Sequence, residues 1–329
     1  MASSLRNATL HGLRIFESVA RLRGVSAAAR EMHLTQPAVS MQVKHLEALV
    51  GLPLTERIGR GLQLTDAGEE VARHARRLAD QLREADASLD AMRGLRGGRI
   101  EIGVVSTAKY FAPRLLAEFH RRHPAIDLRL AVANRSDVVQ MLVRNDVDLA
   151  IMGTPPQHLE CEARRIAEHP LAWLASPDHP LAGLRSVEPG RLASEQLIVR
   201  EPGSGTRISM ERFLRAHRVR PGQVLEMSSN ETIKQAVMAG MGIAFLSEHT
   251  AGLEIGTGRL THLRVTDTPV VRQWYAVHRT DKRLLPAARA FCRFLEDDGA
   301  RLIAAQMAPV AVSPSLGARR RRGSDSGRL

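Results

Sequence analysis

The sequence predicts an α/β chain with a small all-α head at its N-terminus. Three observations carry this. From Arg99 onward, strands and helices alternate as βαβαβ, the pattern of a mostly parallel sheet with helices on its faces. Residues 5–60 instead alternate short helical patterns with tight turns. Between them lies one long polar helix that runs into Leu95–Arg96–Gly97–Gly98, a hinge-like stretch. A chain of 329 residues holds two or three compact units. Hydrophobic residues make up 44% and aromatic residues only 3%, so the cores must be built from Ala, Leu, Val and Ile. That composition excludes collagen-like, disulfide-scaffold and wholly disordered chains.

The head reads element by element. Leu10, Leu13, Phe16 and Val19–Ala20 recur at helical spacing. Gly24 ends that helix, and Ser26 caps a second, SAAAREM, whose small alanines allow close packing. Thr35 caps a third helix, QPAVSMQVKHLEALVG. Its Pro37 sits in the first turn, where a missing N–H costs little, and Gly51 closes it. LTERIGRGLQLT forms a short extended pair with Gly59–Arg60–Gly61 at its tip. Thr65 or Asp66 starts the long helix, from about Ala67 to Arg93.

In the α/β part, IEIGVV, IDLRLAV and DLAIMG are strands. Helices from Phe111 to Arg122 and in SDVVQMLVRNDV separate them. A second unit begins near residue 161. It has strands LAWLAS, QLIVRE and VLEMS, a helix from Arg207 to His217, and the helix ETIKQAVMAG. RQWYAVH (272–278) is a strand that returns to the first unit, and LLPAARAFCRFLEDD is the final helix. Residues 308–329, with GARRRRG and SDSG, read as disordered.

Cys161 and Cys292 are too few for a disulfide framework or a cysteine zinc site. The first twenty residues carry charges and no apolar core, unlike a signal peptide. The longest clean apolar run, Ala236 to Leu246, is far below the roughly 20 residues of a spanning helix. A soluble, cytoplasmic protein without a membrane partner is the expectation. His120 and His123 lack a third ligand and read as a solvated face. No metal or cofactor site and no catalytic set is apparent.

Two short helices joined by a tight turn, the second with a polar face, describe a helix-turn-helix. On the third helix of the head, Ala38, Val39, Val43 and Leu46 can face the core, leaving Thr35, Gln36, Ser40, Gln42 and Lys44 polar. Gln can pair with adenine edges, and Ser, Thr and Lys can reach bases or phosphates. Periodicity alone is equally compatible with a three-helix core that has a solvated face.

The stretch LRIFESVARLRGVSAAAREMHLTQPAVSMQVKHLEALVGLPLTERIGRGLQLTDAGEEV resembles the winged helix-turn-helix of LysR-type transcriptional regulators. The resemblance continues to about residue 305. STAKYFAPRLLAEFHRRHP, VANRSDV and REPGSGTR look most like the activators of Calvin-cycle (CO2-fixation) operons. The basic tail, and alanines at 27–29 where a bulkier aromatic is common, depart from the family pattern.

The resemblance implies a winged helix-turn-helix DNA-binding domain (1–65) and a dimerising linker helix with hinge (66–97). It also implies a two-lobed effector domain like a periplasmic binding protein (98–307), with lobe I at 98–160 and 272–307 and lobe II at 161–271. The basic tail is 308–329. It implies Thr35, Gln36, Ser40, Gln42 and Lys44 as DNA-facing residues, and Ser26, Arg57 and Arg60 as phosphate contacts. The partners it implies are an inverted-repeat promoter site in double-stranded DNA, RNA polymerase, and further copies of the chain as a homodimer or homotetramer.

Three loops should converge between the lobes, where such folds bind ligands. They are Ser106–Thr107–Ala108–Lys109, Asn134–Arg135–Ser136 and Gly203–Ser204–Gly205–Thr206–Arg207. Ser228 to Glu231, with Asn230, opens a further helix at capping-box spacing. Helix-start N–H groups with Lys109, Arg135 and Arg207 suit a carboxylate or phosphate. Alone, the Gly203–Arg207 loop reads better as ordinary helix capping, because Gly-Ser turns are common, and Asn134–Arg135 reads equally well either way; only the convergence of the loops argues for a site. The resemblance to Calvin-cycle activators implies a phosphorylated metabolite such as ribulose bisphosphate or phosphoenolpyruvate, or NADPH, as the effector, and the cationic loops favour the phosphorylated metabolite.

Two rivals come from other classes. A solute-binding protein would share the lobes but would not need the N-terminal motif. A phosphate-loop enzyme could use GSGT, yet the sequence has neither a Walker lysine nor a G-x-G-x-x-G fingerprint. The formal net charge of +12 favours an anionic partner without choosing one. It is spread as +4 over residues 1–60, −1 over 61–97, +5 over 98–307 and +4 over 308–329. The head therefore holds only a third of it.

Overall fold

The structure, a computed structural model, describes residues 5–58, 61–92 and 97–307. The head packs α1 (Leu10–Leu22), α2 (Val25–Glu31) and α3 (Gln36–Val50) around a core of Ile15, Phe16, Val19, Ala28, Val39 and Leu46. Thr9 caps α1 by accepting from the Gly12 N–H at 3.0 Å. Arg23, in the left-handed region at φ 48°, ends α1. The second cap differs from expectation. Gly24 is the N-cap of α2 and offers no side chain, while Ser26 lies inside the first turn. Thr35 caps α3 as expected, accepting from Ala38 N–H at 3.4 Å. Gly51 closes α3 at φ 77°, where a side chain would be strained.

A wing follows: β1 (Thr55–Ile58) and β2 (Gly61–Leu64), antiparallel. The Glu47 carboxylate, near the end of α3, accepts from the Leu54 and Thr55 N–H groups at 2.9 and 3.2 Å. This stitches the wing to the helix it flanks. Thr65 then caps α4 (Asp66–Met92), accepting from Gly68 N–H at 3.0 Å. A Cβ on Gly68 would stand 2.0 Å from the Leu54 carbonyl oxygen, so only glycine lets α4 pass beneath the wing. The expected hinge lies partly outside the described residues, at Leu95 and Arg96.

The α/β part comprises β3 (Gly98–Val105), α5 (Ala112–Arg122), β4 (Ile126–Ala133), α6 (Arg135–Val143) and β5 (Leu149–Met152). Then come β6 (Cys161–Ala175), β7 (Gln196–Arg200), α7 (Gly205–Ala216), β8 (Gln223–Met227), α8 (Asn230–Met238), β9 (Ile243–Ser247) and α9 (Glu248–Gly256). The last elements are β10 (Thr261–His262), β11 (Val270–Arg279) and α10 (Pro286–Met307). The sheet order is β4-β3-β5-β11-β6-β9-β7-β8, with β10 on β6. β3 lies parallel between β4 and β5, and β7 lies parallel between β8 and β9. The expected βαβαβ unit is present, and the strand at 272–278 returns to it by pairing with β5.

The two parallel halves meet through β6 and β11, which are antiparallel to each other. LAWLAS is thus only the end of a 15-residue strand. Its first part, CEARRIAEH, is too charged to read as a core strand, because it lies at the half-exposed crossing between lobes. One apolar core serves the first half, around Phe111, Phe119, Trp274 and Phe291. The second half buries Trp173, Phe213 and Phe245 on one face and Ile198, Ile233 and Leu246 on the other.

Candidate DNA-facing surface and interlobe cleft

On α3, Val39, Val43 and Leu46 are buried at i, i+4 and i+7, which turns the opposite face outward. Thr35, Gln36 and Lys44 are exposed on it, and Ser40 sits half-buried at its flank. Met41 is the side chain sequence reasoning missed: it is 65% exposed and central to this face. Gln42 lies elsewhere. Its Oε1 is 3.5 Å from where a Cβ on Gly12 would stand, so it rests against α1. Ser26 is exposed on α2. Arg57 belongs to the wing, opposite Leu62 in register. Arg60 lies outside the described residues.

The cleft between the two halves is lined by Val105, Ser106, Thr107, Asn134, Arg135, Gly153, Thr154, His169, Ser204, Gly205, Thr206 and Arg272. It holds ≈ 340 Å³ of non-protein space, its open mouth included. Six of the expected residues meet there: Ser106, Thr107, Asn134, Arg135, Gly205 and Thr206. Thr107 and Thr206 are buried with Ser204 beneath the opening. Ser204 is the N-cap of α7 but makes no side-chain cap bond, and Gly205 and Thr206 begin the helix facing the cleft. Asn134 spends its Oδ1 on capping α6, accepting from Asp137 N–H at 2.9 Å.

Lys109, Arg207 and Asn230 do not line the cleft, each for a visible reason. Arg207 donates to Glu211 at 2.8 Å, to Glu226 at 2.5 Å and to the Arg200 carbonyl at 2.9 Å. Its charge is thus taken up away from the opening. Lys109 stands over the Tyr110 ring at 5.1 Å, with Lys234 at 4.9 Å from the same ring. Asn230 accepts from Arg200 at 2.5 Å, and Arg200 in turn donates to Ser106 Oγ at 3.0 Å. Arg200 is 3% exposed, so this relay is a buried strut joining the two halves behind the cleft.

The charge in the cleft comes from Arg135 and Arg272. Arg135 donates to the carbonyls of Thr154 and Pro155 at 3.3 and 3.4 Å. Arg272 donates to the Gly205 carbonyl at 3.1 Å, the Gly153 carbonyl at 2.6 Å, and the hydroxyls of Ser209 and Thr154. Neither arginine has a carboxylate among these partners, and no Asp or Glu is among the lining residues. Burial, with Arg212 and Arg135 nearby, pulls Arg272 down to about 10, so it remains charged at neutral pH. Burial also lowers Arg135. Two partly desolvated cations plus the start of α7 make a site that an anion would complete.

Arg272 and His169 were absent from the sequence reading. Both lie on crossing strands, β11 and β6, whose partners are far away in sequence. No local spacing marks them.

Comparison with known proteins covers almost the whole chain. Residues 10–69 match the model of the bacterial regulatory helix-turn-helix proteins of the lysR family, and residues 93–300 match the LysR substrate binding domain. A RuBisCO operon transcriptional regulator of Allochromatium vinosum is 49% identical, aligned over 89% of this chain and 97% of that one. The HTH-type transcriptional regulator CbbR of Rhodospirillum rubrum is 49% identical over 87% of this chain and 95% of its own. The regulatory domain of Synechocystis CcmR, solved in complex with 2-PG, superposes with a TM-score of 0.59 at 38% identity. That alignment covers 61% of this chain and 96% of that domain.

Proposed function

Because the chain belongs to the LysR family of DNA-binding transcriptional regulators, we propose that it is an activator of Calvin-cycle CO2-fixation genes, switched by a small phosphorylated metabolite. The observation that carries this reading is the joining of two anion-seeking sites in one chain. A polar helix face on the head is tied through the long helix α4 to a cleft whose two arginines have no carboxylate partner among the described residues. The relatives named for RuBisCO operons support the gene target, and the 2-PG complex of a relative supports a phosphorylated ligand. The cationic lining, Arg135 with Arg272, favours a phosphorylated metabolite.

In this reading α3 enters the major groove of each half of an inverted repeat, with Gln36 and Ser40 at base edges and Thr35, Lys44, Ser26 and the wing arginines Arg57 and Arg60 on phosphates. α4 pairs with its copy. Leu78, Leu82 and Leu89 stand exposed within one narrow stripe of that helix, an apolar seam left uncovered by the described residues. Two such dimers make the tetramer, and RNA polymerase is the downstream partner, in the cytoplasm. Among the described residues no helix is long and apolar enough to cross a membrane. The effector closes the halves about β6 and β11 and so resets the spacing of the DNA heads. Its leverage is bounded by its differential affinity for the two arrangements.

The test is fluorescence anisotropy with DNA from upstream of a CO2-fixation operon. Phosphoenolpyruvate, ribulose bisphosphate and NADPH are added in turn. The expected result is sequence-specific binding altered by one of the phosphorylated acids. Binding that is absent at low salt, or indifferent to sequence, would defeat the reading.

A further inference from the structure

We propose that Met41 is a base-reading residue of the head, whose thioether side chain packs on the C5-methyl group of a thymine in the major groove and so sets which base pair is preferred there. This rests on the placement of α3 in the major groove, and it adds an apolar contact that the polar residues of that helix cannot make.

The argument starts from an apolar side chain placed where the helix has no core to fill. Val39, Val43 and Leu46 form the buried stripe of α3. At about 100° per residue, Met41 stands almost diametrically opposite the middle of that stripe. It is 65% exposed, more than any other large hydrophobic of the described head. Pro37, one turn before it, and Ala48, two turns after, are exposed on the same side. Lys44 and His45 are exposed between them. The outermost ridge of α3 is therefore apolar in part, with Met41 at its middle. The other exposed leucines of the head, at 5, 10, 22 and 52, all lie outside α3.

The position of the side chain is well fixed by its helix. Thr35 caps the start of α3, and Glu47 ties its far end to the wing through the Leu54 and Thr55 N–H groups. Met41 is the sixth residue of this helix. It lies in the N-terminal half, the part of a recognition helix that meets base edges.

The chemistry selects the base. A thioether has no N–H or O–H to donate and accepts only weakly. It gains little from the acceptors of guanine or from a phosphate oxygen. The C5-methyl group of thymine is the apolar mark in the major groove. An unbranched, polarizable side chain can settle onto it. Gln36, one turn earlier, is suited to adenine. The two residues thus recognise A·T pairs from opposite bases, one by hydrogen bonds and one by apolar contact.

The experiment removes the methyl group and nothing else. The full chain is titrated by fluorescence anisotropy into duplexes from upstream of a CO2-fixation operon. The thymines of one half-site are replaced one at a time by deoxyuridine. Wild type should lose about fourfold in affinity at one or two of these positions, the scale of a single methyl group taken out of contact. In Met41→Ala the same replacements should cost nothing further. Met41→Leu keeps an apolar side chain and should retain part of the loss. Replacements at the remaining thymines should affect all three proteins alike. Because Met41 is exposed, all three should also melt together. A wild type indifferent to every replacement overturns the role of Met41 and leaves α3 in the groove. So does a sensitive thymine that stays equally sensitive in Met41→Ala. A wild type that binds promoter and unrelated duplexes alike removes the groove reading itself, and Met41 falls with it.

Discussion

The face of α3 and the interlobe cleft are the two proposed anion sites, and they are assembled in opposite ways. The polar face of α3 comes from one 15-residue helix with its own cap, its own stop and its own buried stripe. The cleft is lined from six separate segments: 105–107, 134–135, 153–154, 169, 204–206 and 272. On the helix each side chain reaches outward independently, so losses should add. In the cleft one arginine, Arg272, holds the carbonyls of Gly153 and Gly205 and the hydroxyls of Thr154 and Ser209 at once. Losses there should be coupled. The contrast predicts that the two regions can be broken separately.

The largest effect should come from Gly68→Ala. A methyl 2.0 Å from the Leu54 carbonyl oxygen cannot be accommodated without moving wing or helix. The head should lose at least about 4 kcal/mol, the range of severe overpacking and backbone conflict. DNA binding should vanish while effector binding persists. Calorimetric melting would show the head transition lowered and the effector-domain transition in place. A single transition shifted as a whole would mean that the two regions fold as one unit.

Arg272→Met makes the converse cut. Removing a buried, multiply hydrogen-bonded charge should cost the effector about 3 kcal/mol of affinity, roughly a hundredfold. DNA affinity without effector should be unchanged. Anisotropy titrations with and without phosphoenolpyruvate read both quantities in one sample. A loss of unliganded DNA affinity would instead make Arg272 part of the coupling frame.

The two regions also differ in how much of them the sequence disclosed. The cap at Thr35, the buried stripe of α3 and the wing follow from spacings within a few residues. The parallel unit was equally legible, because βαβ alternation is a local pattern. Thr107, Arg135, Gly205 and Thr206 were found because loops at strand ends in such folds point into the cleft. Arg272 and His169 were not, since their partners stand roughly 60 to 120 residues away or face them across the crossing strands. Arg207 shows the opposite error. A charged residue at a helix start read as a ligand, yet Glu211 at i+4 was in view and could have claimed it. Ser26 erred by two residues, because Gly24 can cap a helix with no side chain to announce it.

A third effect, comparable with or smaller than the second, concerns pH and only the effector domain. Burial holds His249 down to about 4, against an unfolded value of 6.5. The unfolded chain therefore binds the extra proton first as pH falls. Stability from this group is fully present above pH 6.5 and is lost progressively between 6.5 and 4, up to about 3 kcal/mol. His169, likewise lowered by burial, acts in the same direction. The effector-domain melting temperature should fall across that window, and His249→Phe should flatten the slope. An unaltered slope in that variant would assign the acid sensitivity elsewhere.

The smallest effects should lie on α3, and their independence is the sharpest test of the contrast. Lys44 is exposed on the outer face, away from the helix start, and is the proposed phosphate contact. Lys44→Ala should weaken binding to every DNA sequence by a similar factor. It should also make the plot of log affinity against log salt shallower by about one unit for each phosphate no longer neutralised. Gln36, exposed in the first turn of α3, should behave differently. Gln36→Ala should cost about 1–3 kcal/mol at the cognate site only, with the salt slope unchanged. The double variant should show the sum of the two, since in the proposed reading Lys44 meets a phosphate and Gln36 a base edge, with no shared partner on one rigid helix. A strongly non-additive pair would mean that the helix face is organised like the cleft after all, through residues that hold one another in place.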